Sequence, residues 1–337
     1  MSQLIAQQTA SPLLRIKPRI AVSASIGLVS GLFCWLMVER IYHGAADFGW
    51  AIYGAQRTLA HQNPYDTPLS QYPVTADFLA LPFVHLQPAM AAGLFYGISS
   101  GLLAFGLTRN GYHRLFIFLA FPYWAGLITA QWCTIIAAGA FFPLLLPVVM
   151  AKPQVGLPVL LTHISRRGAL SCLILGILTL VFVPHWPFLW LHQFRYYQHF
   201  IPLLAPPGPL LLLALLRYRH RDAILLLLSA MMPQRWFFDS FILWLIPKSR
   251  REILATIPFG WGVGIWHWYH MPRTMHEVGL WTVLGIYLPM LAVVLLRPGS
   301  HGSVSRKEQG EHLLTIPSHS ESAQGRSYNP RETHHDS

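Results

Sequence analysis

The acids best suited to acid–base chemistry lie in one polar and aromatic stretch, 46–83, between two apolar runs. It contains Asp47, Asp66 and Asp77, and Asp47 comes just after the first apolar run. A carboxylate at the mouth of a helix bundle can accept a proton from a hydroxyl nucleophile, provided that partial desolvation keeps it basic. The alternative is a solvated interfacial acid paired with an arginine such as Arg57. Position alone leaves both interpretations open for Asp47.

The other acids also have structural interpretations. Asp66 follows a Pro-Tyr turn, where an aspartate commonly hydrogen-bonds its own backbone. Asp77 begins a short apolar segment, which is typical of a helix N-cap or a first-turn acid. Asp239 lies four residues after Arg235, so it either pairs with that arginine on a helix or lines a cavity.

The composition indicates a membrane protein. Of 337 residues, 53% are hydrophobic and 11% are charged, whereas soluble domains carry about 25% charged residues. A net charge of +11 raises the question of nucleic acid binding. The basic residues stand in short clusters between apolar runs, a distribution that orients membrane helices. We therefore expect contact with membrane lipids and no nucleic acid.

No motif predicts a metal or a cofactor. Cys34, Cys133 and Cys172 all lie inside apolar runs without Cys or His at ligand spacing, so neither a disulfide framework nor a zinc site follows. The chain has no P-loop and no HExxH motif, which argues against an ATP-driven pump or a membrane zinc protease. The first apolar run lacks a small-residue cleavage site, and we expect it to be retained as a helix.

The apolar runs predict an all-α polytopic membrane protein. Ile20 to Val38 is long enough to cross a hydrocarbon core of about 30 Å, and 88–107 predicts a second crossing. Counting the later runs gives roughly eight to eleven transmembrane or re-entrant helices. Two of these runs matter for the site. Residues 134–150 are predicted to return to the cytoplasm, whereas 155–163 is predicted to be re-entrant because basic residues flank both of its ends.

The charge pattern divides the chain into three parts. Residues 1–19 are predicted to be a cytoplasmic arm, 20–296 a transmembrane domain, and 297–337 a disordered cytoplasmic tail with too little apolar surface to order. The chain is then expected to be a multi-pass protein of the cell's inner (plasma) membrane, with the loop 39–75 outside the cytoplasm and both termini in the cytoplasm. Residues 49–60 predict a short amphipathic helix within that loop.

Several short motifs in order resemble the first luminal loop of glycosyltransferase family 87. They are Asp47-Phe48, Tyr53, Ala55, Asn63-Pro64-Tyr65, Tyr72-Pro73 and Leu81-Pro82, followed by Gln131, Lys152-Pro153-Gln154, Pro233 and Trp236. Members of this family belong to the GT-C superfamily of membrane enzymes, which includes polyprenol-phosphate-mannose-dependent mannosyltransferases. The resemblance covers most of 20–296 and implies a GT-C-type helix bundle.

The resemblance also implies a mechanism. The donor is a sugar, such as mannose, carried on a polyprenyl phosphate, and the acceptor is a hydroxyl of a lipid or glycan outside the cytoplasm. Asp47 is the general base, and the anomeric configuration inverts. The departing phosphate needs cations or hydrogen-bond donors rather than a strong acid.

Candidate partners for these groups follow. Arg235 is the preferred phosphate partner because it is expected at an outer helix tip, and Arg57 and Arg195 are alternatives on the same side. Lys152 matches the family pattern but is predicted at the cytoplasmic end, so it either dips toward the site or only anchors the topology. The expected substrate-binding residues are Tyr65, Tyr72, Gln131, Gln154, Trp236 and Asp239.

Two other functions stay open. A transporter or flippase for a lipid or polar solute would carry ionisable residues in mid-span and often two similar halves. Here the spans hold few charges, no half-repeat is visible, and acids gather in one outer loop, which favours an enzyme. A non-catalytic membrane subunit is the third interpretation.

Overall fold

The computed structural model describes residues 12–66, 71–271 and 274–298, and of 12–15 only the backbone. The described part of the chain contains helices and no strand, apart from an isolated antiparallel bridge between Phe200 and Gln234. This confirms the predicted all-α class. Residues 1–11 of the predicted arm and 299–337 of the predicted tail lie outside the described residues.

Thirteen α-helices follow one another along the described residues. They are α1 (Pro12–Tyr42), α2 (Phe48–Leu59), α3 (Val74–Ala80), α4 (Pro88–Leu107), α5 (Phe121–Ile128), α6 (Cys133–Gly139), α7 (Pro153–His163), α8 (Arg166–Phe182), α9 (Trp186–Gln193), α10 (Arg221–Met231), α11 (Arg250–His270), α12 (Met275–Thr282) and α13 (Leu288–Leu296). Shorter 3₁₀ segments lie at Leu81–Phe83, Thr108–Asn110, Tyr112–Leu119, Pro143–Ala151, Phe194–Tyr196, Gly208–Arg217 and Phe237–Leu245, and a π-helical segment, Val283–Tyr287, joins α12 to α13.

Three helical stretches are long and apolar enough to cross a membrane. They are Ile16–Tyr42, Pro88–Asn110 and Met275–Leu296, and a fourth results if Arg166–Phe182 and Trp186–Tyr196, bent by 94°, form one broken span. The structure thus supports a membrane protein but does not show the predicted eight to eleven spanning or re-entrant helices. The second helix has the predicted bounds, whereas α1 begins at Pro12, inside the predicted arm.

Glycines bring α1 and α4 into close contact. A Cβ atom on Gly31 would lie 2.9 Å from the carbonyl oxygen of Gly93, and one on Gly97 would lie 2.9 Å from that of Gly27. Small residues let helix backbones approach closely where no water drives association, as in membrane helix pairs. The glycines therefore fix the crossing of the first two candidate spans.

One end of the bundle gathers basic side chains, and we call it the basic end. Arg19 of α1 bonds Thr108 and the Phe105 carbonyl, and Arg109 donates to the carbonyl of Phe141. Further cations complete this end through bonds to backbone or acid partners: Arg114 to Leu245, Lys248 to Asp222 and Arg217 to Leu295. Asp47 follows the opposite end of α1, so the stretch 43–83 and the basic end lie at opposite ends of the first helix.

Gln131 and Lys152 are in contact, although the segment between them extends to the basic end. Phe141 bonds Arg109 at the basic end, while the Nζ atom of Lys152 lies 3.0 Å from Oε1 of Gln131. The predicted single crossing of 134–150 is therefore wrong. Pro143 and Pro147 each lack a backbone donor, and the run forms a 3₁₀ segment back to the site instead of a continuous helix. This return explains how Lys152 reaches the site.

Candidate active site

Asp47 is held in place by the buried residue that follows it. Phe48 is fully buried and stacks on Phe95 of α4 with ring centroids 4.1 Å apart. The backbone N–H of Asp47 donates to the carbonyl of Thr129 at 3.1 Å. Asp47 occupies the N-cap position of α2, yet its side chain makes no capping hydrogen bond. Its carboxylate is therefore directed to other partners.

Gln131, like Asp47, is held in place by the buried residue that follows it. Its neighbour Trp132 is almost fully buried and lies 5.7 Å from Phe48, centroid to centroid. Two left-handed residues, Ala46 (φ 47°) and Ala130 (φ 51°), immediately precede Asp47 and Gln131. This backbone conformation costs a non-glycine residue about 1–2 kcal/mol. Packing of the two aromatic anchors thus stabilises two strained turns that bring the amide and the carboxylate together.

A chain of polar contacts connects Asp47 to Lys152. The amide Nε2 of Gln131 donates to Oδ2 of Asp47, and Lys152 donates to Oε1 of Gln131. Since an ammonium group can only donate, it fixes the orientation of the amide, so the N–H₂ of Gln131 faces Asp47. The side chain of Gln131 is fully buried. The carboxylate of Asp47 consequently receives a directed hydrogen bond from a buried amide.

Lys152 forms a buried ion pair with Asp239. Their atoms Nζ and Oδ1 are 2.5 Å apart, and their side chains are 3% and 0% exposed. The other carboxylate oxygen, Oδ2, accepts the backbone N–H of Arg235 at 3.2 Å. Removing one member of such a pair leaves an uncompensated buried charge and costs about 3–5 kcal/mol. The predicted helical pairing of Asp239 with the side chain of Arg235 is thus replaced by a backbone contact.

The groups converge on one polar cavity of about 50 Å³, which we call the polar cavity. It is lined by Asp47, Trp50, Gln71, Tyr72, Pro73, Lys152, Gln154, Tyr197 and Arg235. A space of this size holds a few water molecules, whereas small-molecule sites typically measure about 300–1,000 Å³. The side chain of Arg235 contacts Gln71 at 3.5 Å across it. A sugar would have to displace side chains to enter.

The two tyrosines of the polar cavity remain neutral hydrogen-bond donors. Burial, followed by the nearby carboxylates of Asp47 and Asp239, raises the pKa of Tyr72 well above its ordinary value, and Arg235 opposes the shift. Burial and Asp239 likewise raise the pKa of Tyr197. The hydroxyl of Tyr197 accepts a hydrogen bond from Nε2 of Gln154 at 2.9 Å. Both phenols therefore stay protonated over the physiological range.

Several residues from the sequence analysis lie outside the polar cavity. Arg57 forms an ion pair with Asp66, and the guanidinium of Arg195 lies 4.7 Å from the ring centroid of Tyr196. Trp236 packs edge-on against Phe237 and His267. For these three residues, the predicted contacts with substrate have no support in the geometry. Tyr65 is also buried outside the cavity, but its hydroxyl donates to the carbonyl of Tyr72 and so supports the lining.

Asp77 is buried away from the polar cavity. It is 4% exposed and lies in the first turn of α3, where Pro73, not Asp77, is the N-cap. Burial raises the pKa of the Asp77 carboxyl well above its ordinary range. Its carboxyl group packs against Gly54 of α2, where a Cβ atom would overlap it. Asp77 therefore packs between α2 and α3 in surroundings that favour its neutral form.

Four lining residues were not predicted as site residues: Trp50, Gln71, Pro73 and Tyr197. Trp50 lies on the predicted amphipathic helix, three residues after Asp47, so helical spacing could have marked it as a neighbour of the carboxylate. Gln71 and Tyr197 carry no such signal, because their approach depends on long-range packing of separate loops. Nor do the described residues contain a group of three or more His, Cys, Asp or Glu able to hold a metal ion.

Comparison of the chain with protein-family models, curated proteins and solved structures gives no match.

Proposed function

We propose that this protein is a membrane glycosyltransferase that moves a sugar from a polyprenyl-phosphate donor to an acceptor hydroxyl at the extracytoplasmic face. The observation that supports it best is the convergence of Asp47, Lys152 and Arg235 on one polar cavity. Gln131 bridges Asp47 and Lys152 behind its lining. One carboxylate suited to act as a base thus lies beside two cations. This combination fits a reaction that deprotonates a hydroxyl and releases a phosphate.

Asp47 is the general base of the proposed reaction. Its carboxylate is half-buried, accepts a hydrogen bond from Gln131, and makes no ion pair among the described residues. It removes the proton from the acceptor hydroxyl as the oxygen attacks the anomeric carbon, and attack opposite to the phosphate inverts the configuration. Positioned general bases contribute about 10²–10⁴-fold to rate.

Arg235 and Lys152 are the proposed partners of the donor phosphate. Both line the polar cavity, and cations near a departing phosphate stabilise the charge that develops there. Lys152 is already compensated by Asp239, while the side chain of Arg235 has only the 3.5 Å contact with Gln71 among the hydrogen bonds of the described residues. The phosphate is expected to replace Gln71 on Arg235 and thereby widen the cavity. The sugar hydroxyls would then meet Tyr72, Gln154 and Tyr197.

The distribution of charge supports the proposed orientation. Basic side chains collect at the end of the bundle that contains Arg19, Arg109 and Lys248, and basic residues favour the cytoplasmic side. The stretch with Asp47 follows the opposite end of α1. The start of α1 and the end of α13 both lie near contacts of the basic end. This arrangement fits a plasma-membrane protein with both termini in the cytoplasm.

Transfer assays with defined donors test the donor class. Membranes containing the protein are incubated with radiolabelled sugars on polyprenyl phosphates, with nucleotide sugars as a comparison and empty membranes as the control. We expect consumption of one polyprenyl-phosphate sugar, release of polyprenyl phosphate, and a product of inverted anomeric configuration. Consumption of a nucleotide sugar instead, or of no donor across several acceptor extracts, would overturn the proposal and favour a transporter or a subunit.

A further inference from the structure

Asp47 and Trp50 also line a second, more open cavity, which we call the aromatic cavity. Its volume is about 460 Å³, and its lining is Tyr42, Gly44, Ala45, Ala46, Asp47, Gly49, Trp50 and Tyr53. Apart from Asp47 and Trp50, it shares no lining residue with the polar cavity. Its size falls within the range of small-molecule sites, about 300–1,000 Å³. The carboxylate of Asp47 therefore borders two spaces of different chemistry.

The lining of the aromatic cavity favours a neutral polyhydroxyl ligand. It presents three aromatic rings and one carboxylate and contains no basic residue. A sugar ring has apolar C–H faces, which pack on aromatic rings, and an edge of hydroxyls, one of which can donate to Asp47. An anionic ligand would be repelled by Asp47 without a compensating cation. A hydrocarbon chain would desolvate the carboxylate without offering it a donor.

The ring of Tyr53 is held in place, and Tyr42 lies at the end of the first candidate span. The hydroxyl of Tyr53 donates to Oδ1 of Asp66 at 3.2 Å, and the guanidinium of Arg57 lies 5.9 Å from its ring centroid. Arg57 is itself paired with Asp66, so its charge is compensated. Tyr42 is the last residue of the candidate span Ile16–Tyr42 and is 47% exposed. The cavity thus opens where the first span ends.

We propose that the aromatic cavity is the acceptor subsite and binds a neutral carbohydrate, presented as a glycolipid headgroup or as a free glycan. This inference rests on the proposed function. The acceptor hydroxyl gives its proton to Asp47 while its oxygen bonds to the anomeric carbon. The bond from that carbon to the phosphate oxygen breaks, and the electron pair departs with the polyprenyl phosphate. Donor and acceptor thus reach Asp47 from different cavities.

Saturation-transfer NMR tests the subsite independently of catalysis. The full chain is placed in lipid nanodiscs free of glycoside detergents, and methyl and octyl glycosides are the probes. We expect saturation transfer to the sugar protons of the wild type, a weakening of binding of about tenfold in Tyr42→Ala, and retention in Tyr42→Phe, which keeps the ring. Tyr112→Ala, at a position with the same 47% exposure outside both cavities, is expected to match the wild type.

The probes and a kinetic comparison separate the possible outcomes. Equal binding of the two glycosides indicates a free glycan, while binding of the octyl glycoside alone indicates a glycolipid. In transfer assays, Tyr42→Ala is expected to raise the KM for acceptor about tenfold and leave the KM for donor within twofold. Absence of glycoside binding to the wild type, or equal binding to Tyr42→Ala, would overturn the subsite. If Tyr42→Ala weakens glycoside binding but the wild type has no transferase activity, the proposed function and the role as acceptor subsite are overturned, whereas the cavity is still a carbohydrate-binding site.

Discussion

At the scale of residues, the site depends on the order of donors and acceptors from Asp47 to Asp239. Lys152 only donates, so it orients Gln131, and Gln131 in turn donates to Asp47. The carboxylate of Asp239 neutralises the charge of Lys152, and both side chains are buried. Each group thereby has a defined hydrogen-bond partner and orientation. The carboxylate of the proposed base is thus oriented by Gln131, whose amide is in turn fixed by Lys152.

A single added carboxylate at position 131 tests this arrangement. Gln131→Glu preserves the shape of the side chain but places a negative charge beside Asp47, which favours protonation of the pair. We expect the acid limb of the pH–rate profile to move up by about one pH unit or more. Gln56→Glu adds the same charge at an exposed position of α2 and serves as the control. An unmoved acid limb in Gln131→Glu would contradict the contact with Asp47.

The buried carboxyl of Asp77 predicts a stability that depends on pH. Because burial raises its pKa in the folded state, its contribution to stability is present at acidic pH and is lost as pH rises from the unfolded value toward the folded one. Asp77→Asn removes that loss. We expect a higher melting temperature than the wild type at pH 7 and a gain that shrinks toward pH 4. Equal melting temperatures at pH 7 would show that Asp77 is not a neutral buried group.

At the scale of elements, the contact between α1 and α4 is the most sensitive to volume. A Cβ atom on Gly97 would meet the backbone of α1, whereas one on Gly262 of α11 would meet nothing within 4 Å. Alanine is favoured over glycine in a helix by about 1 kcal/mol. We therefore expect Gly97→Ala to lower the melting temperature in spite of that preference and Gly262→Ala to keep or raise it. Equal effects in a thermal unfolding assay would contradict the close crossing.

Helices with clear caps could be predicted from sequence, whereas the broken ones could not. The bounds 88–107 follow from Pro88, which begins α4, and from the Gly111 turn (φ 114°) just beyond it. The predicted 49–60 helix matches α2 closely. The run 134–150 has the apolar composition of a full span, and its return to the site depends on contacts that hydropathy does not encode.

Some site residues could be predicted from the sequence, and others could not because their contacts depend on tertiary packing. Asp47, Gln131 and Lys152 were singled out through the order of short motifs, and the structure brings them together. Arg57 and Arg195 were chosen only because of the side of the membrane on which they were expected, and local partners occupy both. A long side chain in a loop can reach in several directions, and only packing decides which.

At the scale of the whole molecule, the site and the basic end are expected on opposite sides of the membrane. Cysteine labelling in intact cells with an impermeant maleimide tests this. We expect His61→Cys, at an exposed position after α2, to react in intact cells, and Asn110→Cys, exposed near Arg109, to react only after permeabilisation. The three natural cysteines are buried or half-buried, and the unmodified chain provides the background. The reverse labelling pattern would contradict the orientation.

In the proposed transfer from a polyprenyl phosphate, Asp47 is the base that deprotonates the acceptor hydroxyl. The most direct test is the transfer rate of Asp47→Asn against Asp66→Asn at saturating donor. Asp66 lies in the same loop but pairs with Arg57 outside the polar cavity, and an asparagine there can still accept the hydrogen bond from Tyr53, so it is a matched control. We predict a loss of about 10²–10⁴-fold for Asp47→Asn, with donor binding preserved, and a loss below about tenfold for Asp66→Asn. A folded Asp47→Asn variant that transfers sugar at the wild-type rate would contradict the claim.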